Sequence, residues 1–409
     1  MYRSFIALLL GFGSLAACGS DQPNESSMSA KDSVSNPVES RKPNADYKPA
    51  FAGQTRIRSV KTKTTIEYSV LTKDLKRPWG IVSLPDGRFL VTEKEGAMRI
   101  VSKEGKVSEK ITGIPKVNSD GQGGLLGLSI DPAFKNNRMV YWSYSENSSQ
   151  GNLTAIAKGR LSDDEKIIEN AKVIYRATPA YDGTLHYGGR ILFDRTGNLI
   201  ISTGERSDLE TRPQAQQLNS GLGKIIRITT DGKAAPGNPF LNNDKARPEI
   251  YSYGHRNVQG LALHPVTGEL WESEFGPKGG DEINLIQPGK NYGWPTITYG
   301  LEYSGQKIGA GITKQDGLEQ PVYYWDPVLS PSGMTFYSSD LVPDWKNNLF
   351  ICGLNSNHIA RLVITNNKVT GEERLLEDEG QRFRDITMGK DGNMYAITDE
   401  GRLYRIGKK

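Results

Sequence analysis

Residues 254–295, read as GHRNVQGLALHPVTGELWESEFGPKGGDEINLIQPGKNYGWP, combine polar side chains and glycine-rich loops around short apolar strands. His255, Arg256 and Asn257 bring three hydrogen-bonding side chains to one turn. Such groups are costly to bury without partners, so we expect this turn to face a cleft. A capped surface turn explains the same three residues equally well.

The later part of this segment carries a loop suited to a cation. Gly276 and Pro277 precede the acidic pair Asp281 and Glu282. A rigid backbone that presents carbonyl oxygens beside carboxylates is the type of site that Ca²⁺ prefers. From the residue types alone, a surface turn remains an equal alternative.

His186 is the strongest of the four histidines as a candidate base. It lies in a glycine-rich approach to a strand, DGTLHYGGR, where neighbouring groups can come close. A histidine there is suited to general-base catalysis near neutral pH. Glu205 follows the next strand and is expected to orient His186, although a purely structural hydrogen bond by His186 is an equal alternative.

Several classes of function lack their sequence signatures. Paired metal-binding histidines, cysteine clusters, a phosphate-binding glycine loop and a serine elbow are absent from the sequence, which excludes zinc hydrolases, nucleotide-binding proteins and α/β-hydrolases. The net charge of +4 is small beside 51 basic and 47 acidic residues. Without a dense basic stripe, nucleic-acid binding has little support.

A repeated unit predicts the architecture. A turn, a short apolar strand, a gap and a second strand recur from near residues 85, 131, 194, 264, 345 and 391. There are six copies of about 58 residues each, a repeat length somewhat above that of usual β-propellers. We therefore predict an all-β fold, a six-bladed β-propeller of four-stranded antiparallel blades. The strand at residues 64–71 is expected to pair with the last blade and close the ring.

The amino terminus predicts where the protein resides. Residues 1–17 combine Arg3, an apolar run and a Leu-Ala-Ala-Cys tetrad that resembles the lipobox of bacterial lipoproteins, so we interpret them as a lipoprotein signal peptide. An ordinary secretory peptide is the alternative. Residues 18–59 are interpreted as a disordered tether with lipid on Cys18, and residues 60–409 as the propeller. The expected location is the periplasm, with membrane contact only through the lipid.

From about residue 70 to 406, the chain resembles the soluble quinoprotein glucose dehydrogenase and aldose sugar dehydrogenase family. The resemblance is carried by the His186 turn and by five other motifs: DGQGGLLG at 120–127, GHRNVQG at 254–260, GP at 276–277 with DEINLI at 281–286, NYGWP at 291–295 and RFRD at 382–385. It implies a propeller that binds pyrroloquinoline quinone (PQQ) and Ca²⁺. It also implies oxidation of the C1 hydroxyl of aldoses to lactones by hydride transfer to the quinone.

The resemblance also assigns roles to individual residues. It implies that His186 is the base, that Glu205 tunes it, and that Arg256 polarises the quinone. Further cofactor contacts are implied for Gln122, Asn257, Tyr303, Arg382 and Arg384, with Gln122 also facing substrate. The carbonyls of Gly276 and Pro277 are implied to hold the cofactor's Ca²⁺, and Glu282 with Tyr292 a structural Ca²⁺.

Three positions qualify the resemblance. Asn355 stands among the cofactor contacts where the glucose dehydrogenase branch has a lysine, and Leu185 stands where that branch has an acidic sugar contact. Trp325 is expected to offer a ring face for stacking a sugar. We therefore expect broad aldose use rather than strict glucose use. The alternatives are a calcium-dependent propeller lactonase and a non-catalytic sugar- or protein-binding propeller.

The partners expected from the resemblance are an aldose and an electron acceptor that the sequence does not identify. Both a monomer and a homodimer are compatible with the sequence.

Overall fold

The structure is a computed structural model that describes residues 36–409. The predicted signal peptide and lipidated Cys18 lie outside the described residues. Within residues 36–409, no helix is long and apolar enough to cross a membrane.

Short strands dominate the described chain, and helices are limited to single turns. The strands are β1 (Ile66–Thr72), β2 (Pro78–Ser83), β3 (Phe89–Glu93), β4 (Ala97–Val101), β5 (Leu125–Ile130), β6 (Met139–Ser148), β7 (Gly151–Leu161), β8 (Ile168–Arg176), β9 (Gly188–Phe193), β10 (Leu199–Thr203), β11 (Lys224–Ile228), β12 (Ile250–Tyr253), β13 (Val258–Leu263), β14 (Leu270–Glu274), β15 (Asp281–Ile286), β16 (Tyr323–Trp325), β17 (Pro331–Phe336), β18 (Leu349–Gly353), β19 (Ile359–Thr365), β20 (Lys368–Leu375), β21 (Phe383–Met388), β22 (Met394–Thr398) and β23 (Leu403–Lys408). The helical turns are α1 (Phe134–Asn137) and three 3₁₀ turns, Arg212–Gln216, Pro343–Trp345 and Glu377–Glu379.

The strands form six antiparallel sheets arranged as a ring, which confirms the predicted six-bladed propeller. Blade 1 contains β2–β4, and blades 2 to 5 contain β5–β8, β9–β12, β13–β16 and β17–β20. Blade 6 contains β21–β23 with β1 as its outer strand. Blade 1 has three named strands, and two isolated bridges, Met98 to Ile111 and Val101 to Val107, continue its outer edge.

The ring is closed by the pairing of β1 with β23, in a register that sets Ile66 opposite Lys408. This confirms the closing role predicted for residues 64–71. Because β1 comes from the start of the propeller and β23 from its end, the pairing joins both termini of the domain in one blade. Closure of this kind leaves no open seam at which the ring could separate.

The core consists of apolar layers between neighbouring blades. Every residue of β10 and of β14 is buried, as expected for middle strands covered on both faces. Trp271 and Ile283 of blade 4 pack in one cluster with Phe336 of blade 5. Since each blade buries its faces against two neighbours, the blades depend on each other for stability.

An ion pair crosses the centre of the ring. The inner strands follow one another in the order β2, β5, β9, β13, β17 and β21, so Arg190 of β9 and Asp385 of β21 come from opposite blades. The Arg190 Nη1 lies 2.6 Å from the Asp385 Oδ2. The Arg190 guanidinium also lies 4.4 Å from the ring centre of Trp79, and its Nε donates to the Gln259 carbonyl. The pair therefore connects four of the six blades.

The predicted disordered tether is wrong for residues 36–59, which lie against the propeller. The backbone amides of Asn44 and Ala45 donate to the Asp326 carboxylate at 2.8 and 3.1 Å. Gln54 is fully buried and donates to the Pro321 carbonyl. A polar segment that cannot form its own core can still be ordered by hydrogen bonds to a folded surface. The compact unit therefore includes residues 36–59 as well as residues 60–409.

Candidate active site

A cavity of about 360 Å³ lies where the six inner strands begin. Every blade contributes a residue at or just before its inner strand, as expected for strand starts that meet at the axis: Pro78, Gln122, Gly188, Asn257, Ser330 and Arg382. The predicted residues Gln122, Asn257, Arg382 and Arg384 all line this cavity.

His186 and Glu205 form a buried pair next to this cavity. The His186 Nδ1 lies 2.7 Å from the Glu205 Oε1, and the side chains are 8% and 1% exposed. The second carboxylate oxygen of Glu205 accepts the Ser207 amide. With Nδ1–H donating to the carboxylate, Nε2 carries the free lone pair. Within residues 36–409, this Nε2 has no hydrogen-bond partner, so it is available to accept a proton.

The backbone around His186 holds the ring in place. His186 has a φ of 47°, in the left-handed region that side chains other than glycine seldom adopt. Its amide donates to the Gln122 Oε1 at 2.9 Å. A Cβ at position 204 would collide with the His186 carbonyl, so only glycine fits there. These contacts tie His186 to Gln122 on blade 2 and to the end of β10.

The electrostatic surroundings favour neutral imidazole. The pKa of His186 is lowered from 6.5 to about 4; burial is the largest cause, the nearby Arg256 guanidinium adds to it, and the Glu205 carboxylate acts in the opposite direction. At neutral pH the ring is therefore unprotonated, which a general base requires.

Arg256 and Asn257 are fixed by contacts that also reach the predicted calcium loop. The Arg256 Nη1 donates to the Gly276 carbonyl at 2.8 Å, while its buried Nε has no partner among the described residues. The Asn257 Oδ1 accepts the Gly188 amide at 3.0 Å. Both backbone amides donate to the Glu274 carboxylate. The turn that sequence predicted to face a cleft therefore does so, with Asn257 at the cavity wall.

Arg382 and Arg384 share one carboxylate, Asp399. The Arg382 Nε lies 2.9 Å from Asp399, and the Arg384 Nε lies 2.7 Å from it. Burial opposes ionisation of Asp399, but Arg384 and then Arg382 outweigh it, and the pKa of the carboxyl is lowered. Asp399 thus orients both arginines at the cavity wall and compensates part of their charge.

A second cavity of about 10 Å³, with space for about one water-sized sphere, lies beside Arg256. The predicted metal residues Gly276, Glu282 and Tyr292 line it, together with Glu274. Pro277 is buried in the same loop but does not line the cavity.

Acidic groups concentrate beside this second cavity. Potential ligand atoms of His255, Glu272 and Glu274 lie within 4.8 Å of one another. The Glu272 Oε2 and the Asn284 Oδ1 are buried without a partner among the described residues. Burial, reinforced by the Glu274 carboxylate, raises the pKa of both Glu272 and Glu282 well above the usual range. Unsatisfied acceptors and crowded carboxylates are what a bound cation would stabilise.

Three predicted residues lie elsewhere. Trp325 is only 4% exposed; its Nε1 donates to Glu372 at 3.0 Å, so the predicted sugar-stacking face is buried in the blade and that prediction is wrong. Tyr303 is 74% exposed and does not line the cavity. Asn355 is exposed beside Leu354, and only Leu354 lines the cavity.

Sequence reasoning missed several residues of the larger cavity: Arg77, Trp79, Lys94, Gln259 and Asp399. Arg77, Trp79 and Gln259 lie at or near the start of an inner strand, which is a usable signal once the repeat is recognised. Lys94 and Asp399 follow second strands of their blades, β3 and β22, and nothing in their local sequence distinguishes them.

Comparisons with known proteins show the family of this chain. A family model described as Glucose / Sorbosone dehydrogenase matches residues 75–405. Aldose sugar dehydrogenase YliI of Escherichia coli (strain K12) is 41% identical over 350 residues, covering 84% of this chain and 94% of that protein.

Two solved structures show the same fold. The apo form of the soluble aldose sugar dehydrogenase from Escherichia coli has 40% identity and a TM-score of 0.80, covering 84% of this chain and 100% of that one. The PQQ-bound aldose sugar dehydrogenase from Streptomyces coelicolor has 29% identity and a TM-score of 0.70, covering 85% and 100%. The resemblance inferred from the motifs is confirmed, and the chain belongs to the glucose/sorbosone dehydrogenase family.

Proposed function

We propose that this protein is a PQQ-dependent aldose sugar dehydrogenase that oxidises the C1 hydroxyl of aldoses to the lactone. The observation that carries the proposal is a buried, neutral histidine paired with a carboxylate at the edge of a cationic cavity. The relatives named as aldose sugar dehydrogenases, one of them bound to PQQ, support the same conclusion.

The larger cavity suits an anionic, planar cofactor. Its wall carries four cationic side chains, Arg77, Lys94, Arg382 and Arg384, against the single carboxylate of Asp399. PQQ bears three carboxylates, which arginine binds in bidentate fashion. Arg256 lines the second cavity instead, and its Nε is buried without a partner among the described residues.

The chain's own residues would act as follows. When bound, PQQ supplies a quinone that accepts the hydride from C1 of the sugar. The His186 Nε2 removes the proton from the C1 hydroxyl, and Glu205 stabilises the resulting imidazolium through Nδ1–H. Arg256 places positive charge where negative charge develops. The sugar would leave as the lactone after the loss of its C1 hydroxyl proton to His186.

The proposal is tested by adding PQQ and Ca²⁺ to the apoprotein and following the reduction of an artificial electron acceptor with glucose, xylose and maltose. We expect turnover with more than one aldose, because Leu185 stands beside the base where an acidic sugar contact would favour glucose. Absence of PQQ binding by the wild-type protein would refute the proposal.

The pH dependence of kcat/KM should reflect the protonation of His186, which is paired with Glu205. Because the pKa of His186 is about 4, kcat/KM is expected to fall as the pH drops through about 4, rather than through 6.5. Glu205→Gln removes a contact that raises this pKa, so the acid limb should move to lower pH. At pH 7 the variant should lose at least about tenfold in kcat/KM, because the ring loses its orienting partner.

The control is Glu210→Gln, which changes an exposed glutamate close to Glu205 in sequence and should leave the profile unchanged. A wild-type acid limb near 6.5 would contradict the account based on burial.

We propose that the second cavity and its acidic surroundings bind Ca²⁺. Glu282 would supply a carboxylate, and Gly276 a backbone carbonyl. The Tyr292 hydroxyl already donates to the Leu285 carbonyl at 2.7 Å and accepts the Gln287 amide at 2.9 Å, so Tyr292 would use its backbone carbonyl. The cation would compensate the crowded carboxylates of Glu272, Glu274 and Glu282.

Removal of the metal should lower stability. A chelator is expected to lower the Tm, and Ca²⁺ at 100 times its Kd should restore about 2.7 kcal/mol. Glu282→Gln should abolish most of this Ca²⁺-dependent gain, whereas Glu109→Gln, at an exposed position, should not. Thermal unfolding at several Ca²⁺ concentrations makes the measurement. An identical Tm with chelator and with Ca²⁺ would contradict the site.

The larger cavity does not favour a calcium-dependent lactonase. Such an enzyme needs several axial carboxylates or amides as metal ligands, whereas among the described residues only Asp399 contributes a carboxylate to the wall, and it is bound to two arginines.

We also propose lipid anchoring at Cys18 and a periplasmic location, on the lipobox motif. Mass spectrometry of the membrane-bound protein, compared with Cys18→Ser, tests the lipid anchoring.

A further inference from the structure

Lys94 stands out among the cations of the larger cavity because its charge has no counterpart. Its side chain is 8% exposed and lines the cavity just after β3. Its Nζ donates to the Ser119 carbonyl at 2.6 Å. Among the described residues, no carboxylate lies within ion-pair distance of it. An ammonium group with one neutral acceptor and no anion is costly to bury.

The other cations of the cavity already have carboxylate partners. Arg382 and Arg384 share Asp399, at 2.9 and 2.7 Å. Arg77 pairs with the exposed Glu95 at 2.9 Å. Of the four cations that line the cavity, Lys94 is therefore the one without a carboxylate partner among the described residues.

The backbone holds Lys94 firmly at this position. Its amide donates to the Arg77 carbonyl at 3.0 Å, and its own carbonyl accepts the Leu125 amide at 2.9 Å. A Cβ at Gly124 would collide with both the carbonyl and the Cγ of Lys94, so glycine there makes room for the lysine stem. The backbone and the stem of Lys94 are thus held between blades 1 and 2, with the ammonium on the Ser119 carbonyl at the cavity wall.

Neighbouring charges show that the ammonium lacks stabilisation. Burial lowers the pKa of Lys94, and the like charges of Arg77 and Arg384 add to this effect, which Glu95 and Asp120 only partly oppose. An anion bound in the cavity would stabilise the charged ammonium and so oppose this lowering of the pKa. Asn355 does not provide the missing interaction, because its side chain is exposed and does not line the cavity.

We propose that Lys94 is a cofactor-binding residue whose ammonium pairs with a carboxylate of the bound anionic quinone. This inference rests on the proposed function. It identifies a charged contact from blade 1, opposite the Asn257 side of the cavity, at a position that no local motif marks. The apoprotein tolerates the unpaired charge, and the ligand supplies its counterion.

The test measures the Kd of PQQ for the apoprotein by isothermal titration calorimetry with Ca²⁺ present. Lys94→Met keeps the length of the side chain and removes its charge, so the Kd should rise by about tenfold to a hundredfold. Lys94→Arg keeps the charge and should recover part of the affinity. Lys103→Met, at an exposed position of the same blade, is the matched control and should bind as the wild type does.

Thermal unfolding separates ligand binding from a structural role. Since Lys94 is unpaired in the apoprotein, Lys94→Met should leave the apoprotein's Tm unchanged or raise it, while the Tm gain caused by PQQ shrinks. A lower apoprotein Tm with an unchanged PQQ-dependent gain would overturn the inference.

The two proposals fail in different ways. If the wild type does not bind PQQ, the proposed function fails and Lys94 has no ligand of this class. If the wild type binds PQQ and Lys94→Met binds it within about twofold, the inference about Lys94 fails while the proposed function stands.

Discussion

Replacement of His186 is expected to lower kcat for aldose oxidation by about 10²- to 10⁴-fold, the range attributed to a positioned general base. The Kd of PQQ should change little, because the ring of His186 does not line the larger cavity. His186→Asn is the better variant than His186→Ala. Asparagine tolerates the positive φ of 47° at this position, so backbone strain does not add to the effect.

Single-turnover reduction of the cofactor by glucose would measure this effect directly. His264→Ala is the control, since His264 lies in a turn at the outer end of β13 and its Nδ1 accepts backbone amides there. If His186→Asn reduced the cofactor at the wild-type rate, His186 would not be the base. The family assignment would stand, because it does not depend on the role of this residue.

Of the substitutions proposed for this protein, Asp385→Ala should cause the largest loss of stability, about 3–5 kcal/mol in the free energy of unfolding. The substitution leaves the Arg190 guanidinium buried without its carboxylate, 2.6 Å away in the wild type. It also deprives the Ile81 amide of its acceptor. The Arg190 Nη2 is already unpartnered among the described residues, so the guanidinium cannot readily recruit another group.

Urea unfolding with a two-state fit measures this loss, and Asp340→Ala provides the comparison. Asp340 pairs with Lys346 on the surface with 83% of its side chain exposed, so its removal should cost far less. A double variant with both Arg190→Met and Asp385→Leu should recover much of the lost stability, because an apolar pair avoids the unpaired charge. Equal losses for Asp385→Ala and Asp340→Ala would show that the axial pair contributes no more than a surface pair.

The architecture could be predicted from the sequence because local, repeated sequence patterns specify each blade. Each blade needs a turn followed by short apolar strands, and six copies of that pattern imply six blades. The closing strand followed from the same reasoning, since a strand left over at one end needs an edge to pair with. The pair of His186 and Glu205 was also predictable, because both lie at ends of neighbouring strands in one blade.

The N-terminal segment shows where composition misleads. Residues 36–59 have the polar composition of a tether, yet Gln54 is fully buried and Asp326 accepts two of the segment's backbone amides. Composition reports whether a segment can form its own core. It does not report whether a distant part of the chain offers it hydrogen-bond partners, and Asn44 and Asp326 are separated by 282 residues.

By itself, then, the sequence determined the repeat, the ring and the strand ends that approach the axis, because these follow from periodicity and turn chemistry along the chain. Only the tertiary structure decided which charges meet there. Asp399 pairs with two arginines, Arg190 reaches Asp385 from the opposite blade, Trp325 turns into the core, and Lys94 is left without a carboxylate partner. These outcomes depend on distances between blades, which no local pattern in the chain encodes.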